Sequence, residues 1–168
     1  KVKPFSQKDD GADLVESAFL MQGLLAVREN YKNGPAEERS IASRIHQLWV
    51  EMEWDFHSRG ENVLYWHWSP NFSWDMNFAL EGYNEALIAY ILAASSPTYS
   101  IDAPTYHQGW GRSGRIRAEN AGAYGFSLQL RHQGAEKYGG PLFWAHYSFL
   151  GLNPKGLKDQ YADYWTEN

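Results

Sequence analysis

The chain has 168 residues, 43% of them hydrophobic, and a net charge of −5. That apolar content excludes an intrinsically disordered chain, and the negative balance offers no electrostatic footprint for nucleic acid. With no cysteine, disulfides and cysteine-ligated zinc are excluded, and no stretch reads as a membrane span or a signal peptide.

The first predicted element is a helix from about Asp10 to Tyr31. It opens on acids and turns apolar: "DDGADLVESAFLMQGLLAV", Asp9 to Val27. Asp10 is a candidate N-cap, and Arg28 and Lys32 suit the negative C-terminal end before Asn33-Gly34 stops the helix. Asp9, Asp13 and Glu16 fall at i, i+4 and i+7, on one stripe that continues as Leu20, Leu24 and Val27. The dipole accounts for acids in the first turn. It does not account for Glu16, on a stripe about to become leucine and expected to face the core.

A second helix begins at Pro35, a favoured first position, with Glu37 and Glu38 in its first turn. Its apolar stripe is Ile41, Ile45, Leu48, Trp49, Met52 and Phe56, and Gly60 ends it. The short connection predicts antiparallel packing of the two helices. Next comes "YWHWSPNFSWDMNF", Tyr65 to Phe78, read as an irregular loop because Pro70-Asn71 makes a turn. A third helix is predicted over Ala79 to Ala94, apolar nearly all round and therefore buried, with Glu85 inside it. From Thr98 to Gly140 no period survives, and glycines and arginines are scattered. "PLFWAHYSFLGL", Pro141 to Leu152, is a continuous apolar run that periodicity cannot assign to helix or strand. A last helix is predicted over Leu157 to Trp165, with Leu157, Tyr161 and Trp165 on one side. No internal repeat or inter-domain linker is visible, so residues 1–168 read as a single domain.

Two carboxylate positions carry the chemical argument. Glu16 and Glu85 each fall on an apolar stripe, where a carboxylate needs a partner or must surrender its charge. A structural reading of Glu85 pairs it with Arg115 or Arg117. Together they suggest glycoside hydrolysis, which uses two carboxyl groups on opposite sides of an anomeric carbon. Neighbours on one helix lie only about 5–6 Å apart at Cβ and point the same way, so separate helices are needed. Burial favours Glu85 as general acid. Asp13, near a helix N-terminus, suits a base or electrostatic stabiliser; Glu16 fits either role, and Asp9 lends support.

Aromatic residues are 16% of the chain, with 8 Trp and 11 Tyr. Composition alone favours an aromatic core over sugar-binding surfaces. The Tyr65–Phe78 loop nonetheless offers Tyr65, Trp66, Trp68 and Trp74 as faces for sugar rings. His67, Asn71 and Asn77 add hydrogen-bonding groups for hydroxyls. Three further signals are set aside. "GWGRSG", Gly109 to Gly114, has the spacing of a dinucleotide fingerprint but follows no strand and opens no apolar helix. Glu53 and His57, at i, i+4, read as a solvated pair rather than a metal site. His146 reads as a hydrogen-bonded core residue.

The motifs "DGADLVESAFLMQGLL", "LYWHWSPNFSWDMNFALEGYNEALIAYILAASSPTY" and "GGPLFWAHYSFLGLNPKGLKDQYADYW" resemble the bacterial glycoamylase-like family. That family includes endo-β-1,2-glucanases and the cyclisation domains of cyclic β-1,2-glucan synthases. The resemblance implies an all-α (α/α)6 toroid, a glucan substrate with β-1,2-glucan favoured, and no metal or organic cofactor. By analogy with relatives it implies a periplasmic location. Carried over by motif, the candidate acids are Asp9, Asp13, Glu16 and Glu85. A toroid of twelve helices needs roughly 200 residues at least. At 168 residues the chain therefore reads as part of such a barrel; a complete barrel predicts a monomer. The expected function is glycoside hydrolysis, with endo-β-1,2-glucanase action foremost. The alternatives are a non-catalytic glucan-binding module, a glucan transglycosylase and an α-glucan hydrolase.

Overall fold

The computed structural model describes residues 6–135 and 137–168. A two-residue strand β1 (Ala12–Asp13) leads directly into helix α1 (Leu14–Tyr31), and a short turn joins it to α2 (Ala36–Glu51). α1 packs against both α2 and α3 (Leu87–Ser95). Strand β2 (His67–Trp68) pairs antiparallel with β1, Ala12 opposite Trp68 and Asp13 opposite His67. The second half is mostly irregular. It holds a π-helical turn at Thr105–Trp110, a hairpin of β3 (Gly122–Ala123) and β4 (Phe126–Ser127), and two short helices, α4 (Leu142–His146) and α5 (Tyr164–Glu167). Among the described residues, no helix is long and apolar enough to cross a membrane.

The core lies between α1, α3 and the irregular segments. Leu14 and Ala18 of α1 meet Leu87, Ala89 and Tyr90 of α3, with Trp54, Leu64, Tyr83, Trp110 and Leu130 closing round them. Buried Tyr and Trp rings usually pair their polar edge; the Trp54 indole N–H has no partner among the described residues. Tyr90 pairs its hydroxyl twice, accepting from the Leu64 N–H (3.0 Å) and donating to the Leu80 carbonyl (2.8 Å), which pins the 64–80 loop onto α3.

Several expected boundaries shift, each for a local reason. α1 starts at Leu14 because Asp13, not Asp10, is the cap: its carboxylate accepts from the Glu16 N–H at 2.9 Å. Asp10 instead accepts from Ser69 and Asn71 across the loop. The Glu16 stripe does not face the core. Leu20 is 64% and Val27 38% exposed, while Leu14, Val15, Ala18, Met21 and Gln22 are buried. α2 begins at Ala36 with Pro35 as its cap, and ends at Glu51 because Met52 turns extended; Phe56 lies in a separate 3-10 turn.

The third helix begins eight residues later than expected. Residues 79–80 are drawn into extended pairing, with the Leu80 N–H donating to the Leu64 carbonyl (2.8 Å), and Gly82 adopts φ +77°. Glu85 therefore lies in the turn before α3, not within it. The Pro141–Leu152 run is α4 followed by a 3-10 turn over Tyr147–Leu150, and much of it is exposed; so is His146, correcting its reading as a core residue. His57 is buried and its Nδ1 meets the Tyr65 carbonyl at 2.9 Å, so it forms no solvated pair with Glu53. The last helix is cut to α5 because the Asp159 carboxylate accepts from the Tyr161 and Ala162 N–H groups in a turn, and Asp163 caps the helix afresh. Trp165, expected beside Leu157 and Tyr161, is 61% exposed while Tyr161 is buried.

Candidate active site

A cleft of about 430 Å³ opens where β1, α1, the turn before α3 and the α4 segment meet. Its polar lining is Asp13, Glu16, Glu85, Asn84 and Gln133. Its apolar walls are rings: Trp66 and Phe78 on one side, Phe19, Phe143, Trp144 and Tyr147 on the other. Trp66 meets Phe78 edge-on at 5.9 Å, and Phe19 meets Tyr147 edge-on at 5.7 Å. Cleft walls of this kind bury the apolar face of a ligand while a few polar groups orient it.

Asp13 is positioned three times over. Strand pairing sets its backbone opposite His67, Oδ1 accepts from the Glu16 N–H, and Oδ2 accepts from the Trp66 indole N–H at 2.7 Å. It also sits at the positive end of α1. With both oxygens engaged, Asp13 is a fixed acceptor. Glu16, one turn on, reaches the same cleft, and its carboxylate has no hydrogen bond among the described residues. Neighbouring Phe19 continues this face of α1 into the wall.

Glu85 approaches from a separate segment. The Asn84 side chain accepts from the Ala86 N–H at 2.9 Å, a local turn that delays the helix and turns Glu85 toward the cleft. The Asn84 amide donates to Gln133, whose segment is held by the Gln133 N–H donating to the Tyr83 carbonyl at 2.9 Å. Glu85 is half-buried, and its Oε2 is enclosed with no hydrogen-bond partner among the described residues. Burial pushes its carboxyl above the ordinary value, and only its own backbone N–H opposes that. Neither Arg115 nor Arg117 reaches it: Arg115 bonds the Arg112 carbonyl and Arg117 the Gln160 carbonyl.

The structure thus brings Asp13, Glu16, Glu85 and Trp66 to one cleft and places the other sequence candidates around it. Asp9 does not line the cleft and lies 3.4 Å from Nε2 of buried His67. Tyr65 is buried, donates to Glu61 at 2.8 Å and stacks under Arg59 at 4.2 Å. Trp68 packs on Phe56 (5.7 Å), and Trp74 packs on Phe56 (5.2 Å) in a separate surface hollow. Asn71 holds Asp10, whose carboxyl these hydrogen bonds from Asn71 and Ser69 keep below its ordinary value. Asn77 accepts from Arg59 at 2.7 Å. The alternation along Tyr65–Trp68 explains the split: Trp66 faces α1, while Tyr65 and His67 turn inward.

Sequence reasoning missed Phe19, Phe78, Asn84, Gln133, Phe143, Trp144 and Tyr147. The aromatic run from Phe143 to Phe149 gave no periodic signal that could have assigned its rings to the cleft. Among the described residues, no cluster of three or more His, Asp or Glu could hold a metal ion.

Comparison with known proteins adds three findings. The Glycoamylase family model, described as "Putative glucoamylase", matches residues 77–168, more than half of the chain. An endo-β-1,2-glucanase from Chitinophaga pinensis, solved with sophorotriose and glucose, matches the whole chain with a TM-score of 0.95 at 59% identity; the chain covers 40% of it. An exo β-1,2-glucooligosaccharide sophorohydrolase (non-reducing end) from Parabacteroides distasonis is 37% identical over 98% of this chain. Only 25% of that relative's own length is covered.

Proposed function

Because the chain belongs to the glycoamylase family, we propose that it is part of a glycoside hydrolase that cleaves β-1,2-glucan by paired carboxyl groups. The observation that carries the reading is the convergence of Glu85 with Asp13 and Glu16 on one aromatic-walled cleft from separate segments. Two carboxyl groups on one helix could not flank a substrate; these can.

Glu85 is the general acid. Its half-buried carboxyl retains a proton to higher pH than an exposed glutamate, and that proton passes to the glycosidic oxygen as the C1–O electron pair moves onto it. The opposing carboxylates, Glu16 and Asp13, accept a proton from the water that attacks C1, or one of them attacks C1 directly. Asp9 supports Asp13 through His67, the residue opposite Asp13 in the strand pair. Trp66 and the facing rings stack on the C–H faces of glucose units, and Asn84 and Gln133 bond their hydroxyls. The complete enzyme acts in endo fashion in the periplasm as a monomer. This chain contributes part of an (α/α)6 toroid, and the exposed Leu20, Leu48, Leu142 and Leu150 are suited to contact with its other helices.

The test uses the intact enzyme with Asp13→Asn, Glu16→Gln and Glu85→Gln, assayed on linear β-1,2-glucan with products resolved by chromatography. Losses of at least a hundredfold in Glu85→Gln and in one of the other two support the reading. Near-normal turnover in all three would end it. Tryptophan quenching by glucan without product formation would identify a binding module instead, and cyclic or elongated products a transglycosylase.

A further inference from the structure

No side chain among the described residues holds the Glu85 carboxyl group, so its aim depends on its backbone. That backbone lies in the turn leading into α3, a helix whose cap position is Ala86 and therefore supplies no side-chain acceptor. The first turn of a helix needs partners for its free N–H groups. Here one comes from far along the chain. Ser148, 1% exposed, accepts from the Ile88 N–H at 3.0 Å and donates its hydroxyl to the Glu85 carbonyl at 2.8 Å. One hydroxyl thus caps α3 in trans and clamps the peptide that carries the carboxyl.

Ser148 lies in the same segment as the cleft-wall residues Phe143, Trp144 and Tyr147. The segment is tied to α1 as well: buried Gln22 donates to the Tyr147 carbonyl at 3.2 Å and accepts from the Gly151 N–H at 3.1 Å. The 147–151 stretch therefore links the helix bearing Glu16 to the turn bearing Glu85.

We infer that Ser148 is a positioning residue for the proposed acid, setting the direction of Glu85 through the Glu85 carbonyl and the Ile88 N–H. The inference rests on the reading of Glu85 as general acid. Ser148→Ala removes both bonds without adding volume, freeing the Glu85 peptide to rotate while the cleft walls remain. Misplacement of a catalytic group by about 1 Å costs up to a hundredfold in rate.

The experiment compares two substrates in the intact enzyme: a linear β-1,2-gluco-oligosaccharide, whose sugar leaving group needs a proton, and its 2,4-dinitrophenyl β-glycoside, whose leaving group does not. Ser148→Ala is expected to lower kcat on the oligosaccharide by about ten- to a hundredfold with KM nearly unchanged. On the aryl glycoside the loss should stay within about threefold. Equal losses on both substrates, or no loss on either, would overturn the inference. Should Ser148→Ala fail to fold, Ser148→Cys, with a weaker donor of similar size, carries the same test and should show a smaller split in the same direction. Glu85→Gln on the same pair separates the two claims. If Glu85→Gln shows the leaving-group split and the Ser148 variants do not, only the role of Ser148 falls. If Glu85→Gln shows none, the reading of Glu85 itself falls.

Discussion

Glu167 offers the sharpest test of how the irregular half is held. Its side chain is fully buried and accepts three N–H groups: Gln129 at 2.7 Å, Leu130 at 3.3 Å and His132 Nε2 at 2.9 Å. The His132 Nδ1 accepts from the Gly140 N–H at 3.2 Å, which assigns the ring proton to Nε2 and makes His132 a donor to Glu167. Glu167→Ala orphans three donors at once. Each buried orphan costs about 1–3 kcal/mol, but adjustment of the neighbours shares the loss. The expected total is about 3–5 kcal/mol, toward the lower end of the sum of three separate orphans. At about 2 °C or more per kcal/mol, the intact enzyme should melt about 5–10 °C lower in a thermal scan. The Gln129 N–H bonds Oε2 while the Leu130 N–H and His132 bond Oε1, so Glu167→Gln keeps one of these oxygens and turns its amide donor toward the donors of the other; it should fall between wild type and Ala. The segment ends at Gln133 on the cleft, so activity should fall with stability. A Glu167→Ala enzyme melting within 1 °C of wild type would refute the claim that these three bonds anchor residues 129–132.

Glu85 makes a prediction with a defined sign. Its folded carboxyl binds a proton more tightly than an unfolded glutamate, whose ordinary value is 4.5. Wild-type stability should fall as pH rises from that value through the raised folded value, whereas Gln has nothing to ionise. The melting-temperature advantage of Glu85→Gln over Glu85 should be least below about pH 4.5 and largest near neutrality; a difference independent of pH would contradict the burial argument. Trp66→Phe keeps a ring on the cleft wall but removes the donor to Asp13 Oδ2. A hydrogen bond to a charged group contributes about 1.5–3 kcal/mol, and water reaching the open cleft recovers part of that. We expect kcat to fall about tenfold with KM little changed, while Trp66→Ala raises KM as well. Identical kinetics for Trp66→Phe and wild type would show that the indole N–H is idle.

Two of the candidate acids, Glu16 and Glu85, stood out as carboxylates on apparent apolar stripes, although the Glu16 stripe proves exposed at Leu20 and Val27. Glu16 interrupts a stripe that turns to leucine, and Glu85 is an ionisable group among apolar neighbours. Pattern breaks of this kind are read without coordinates. The helical hairpin of α1 and α2 was equally plain, from Asn33-Gly34 and Pro35 between two helical stripes. The cleft's second wall was not. Phe143, Trp144 and Tyr147 lie in a run whose period distinguishes neither structure nor facing. Nor did the sequence tell which loop aromatics face the cleft: Trp66 does, while Tyr65 and Trp74 pack around Arg59.

The sequence by itself determined the family, the helix-rich class of the chain and the residue types available for chemistry, because helical periodicity and long motifs are encoded in local order. Only the tertiary structure decided where α3 begins, and with it how Glu85 is presented. That start depends on Leu80 pairing with Leu64 and on the hydroxyl of Ser148, sixty residues beyond Ile88. Hydrogen bonds between distant segments leave no periodic trace in the chain, so they become visible only when the segments meet.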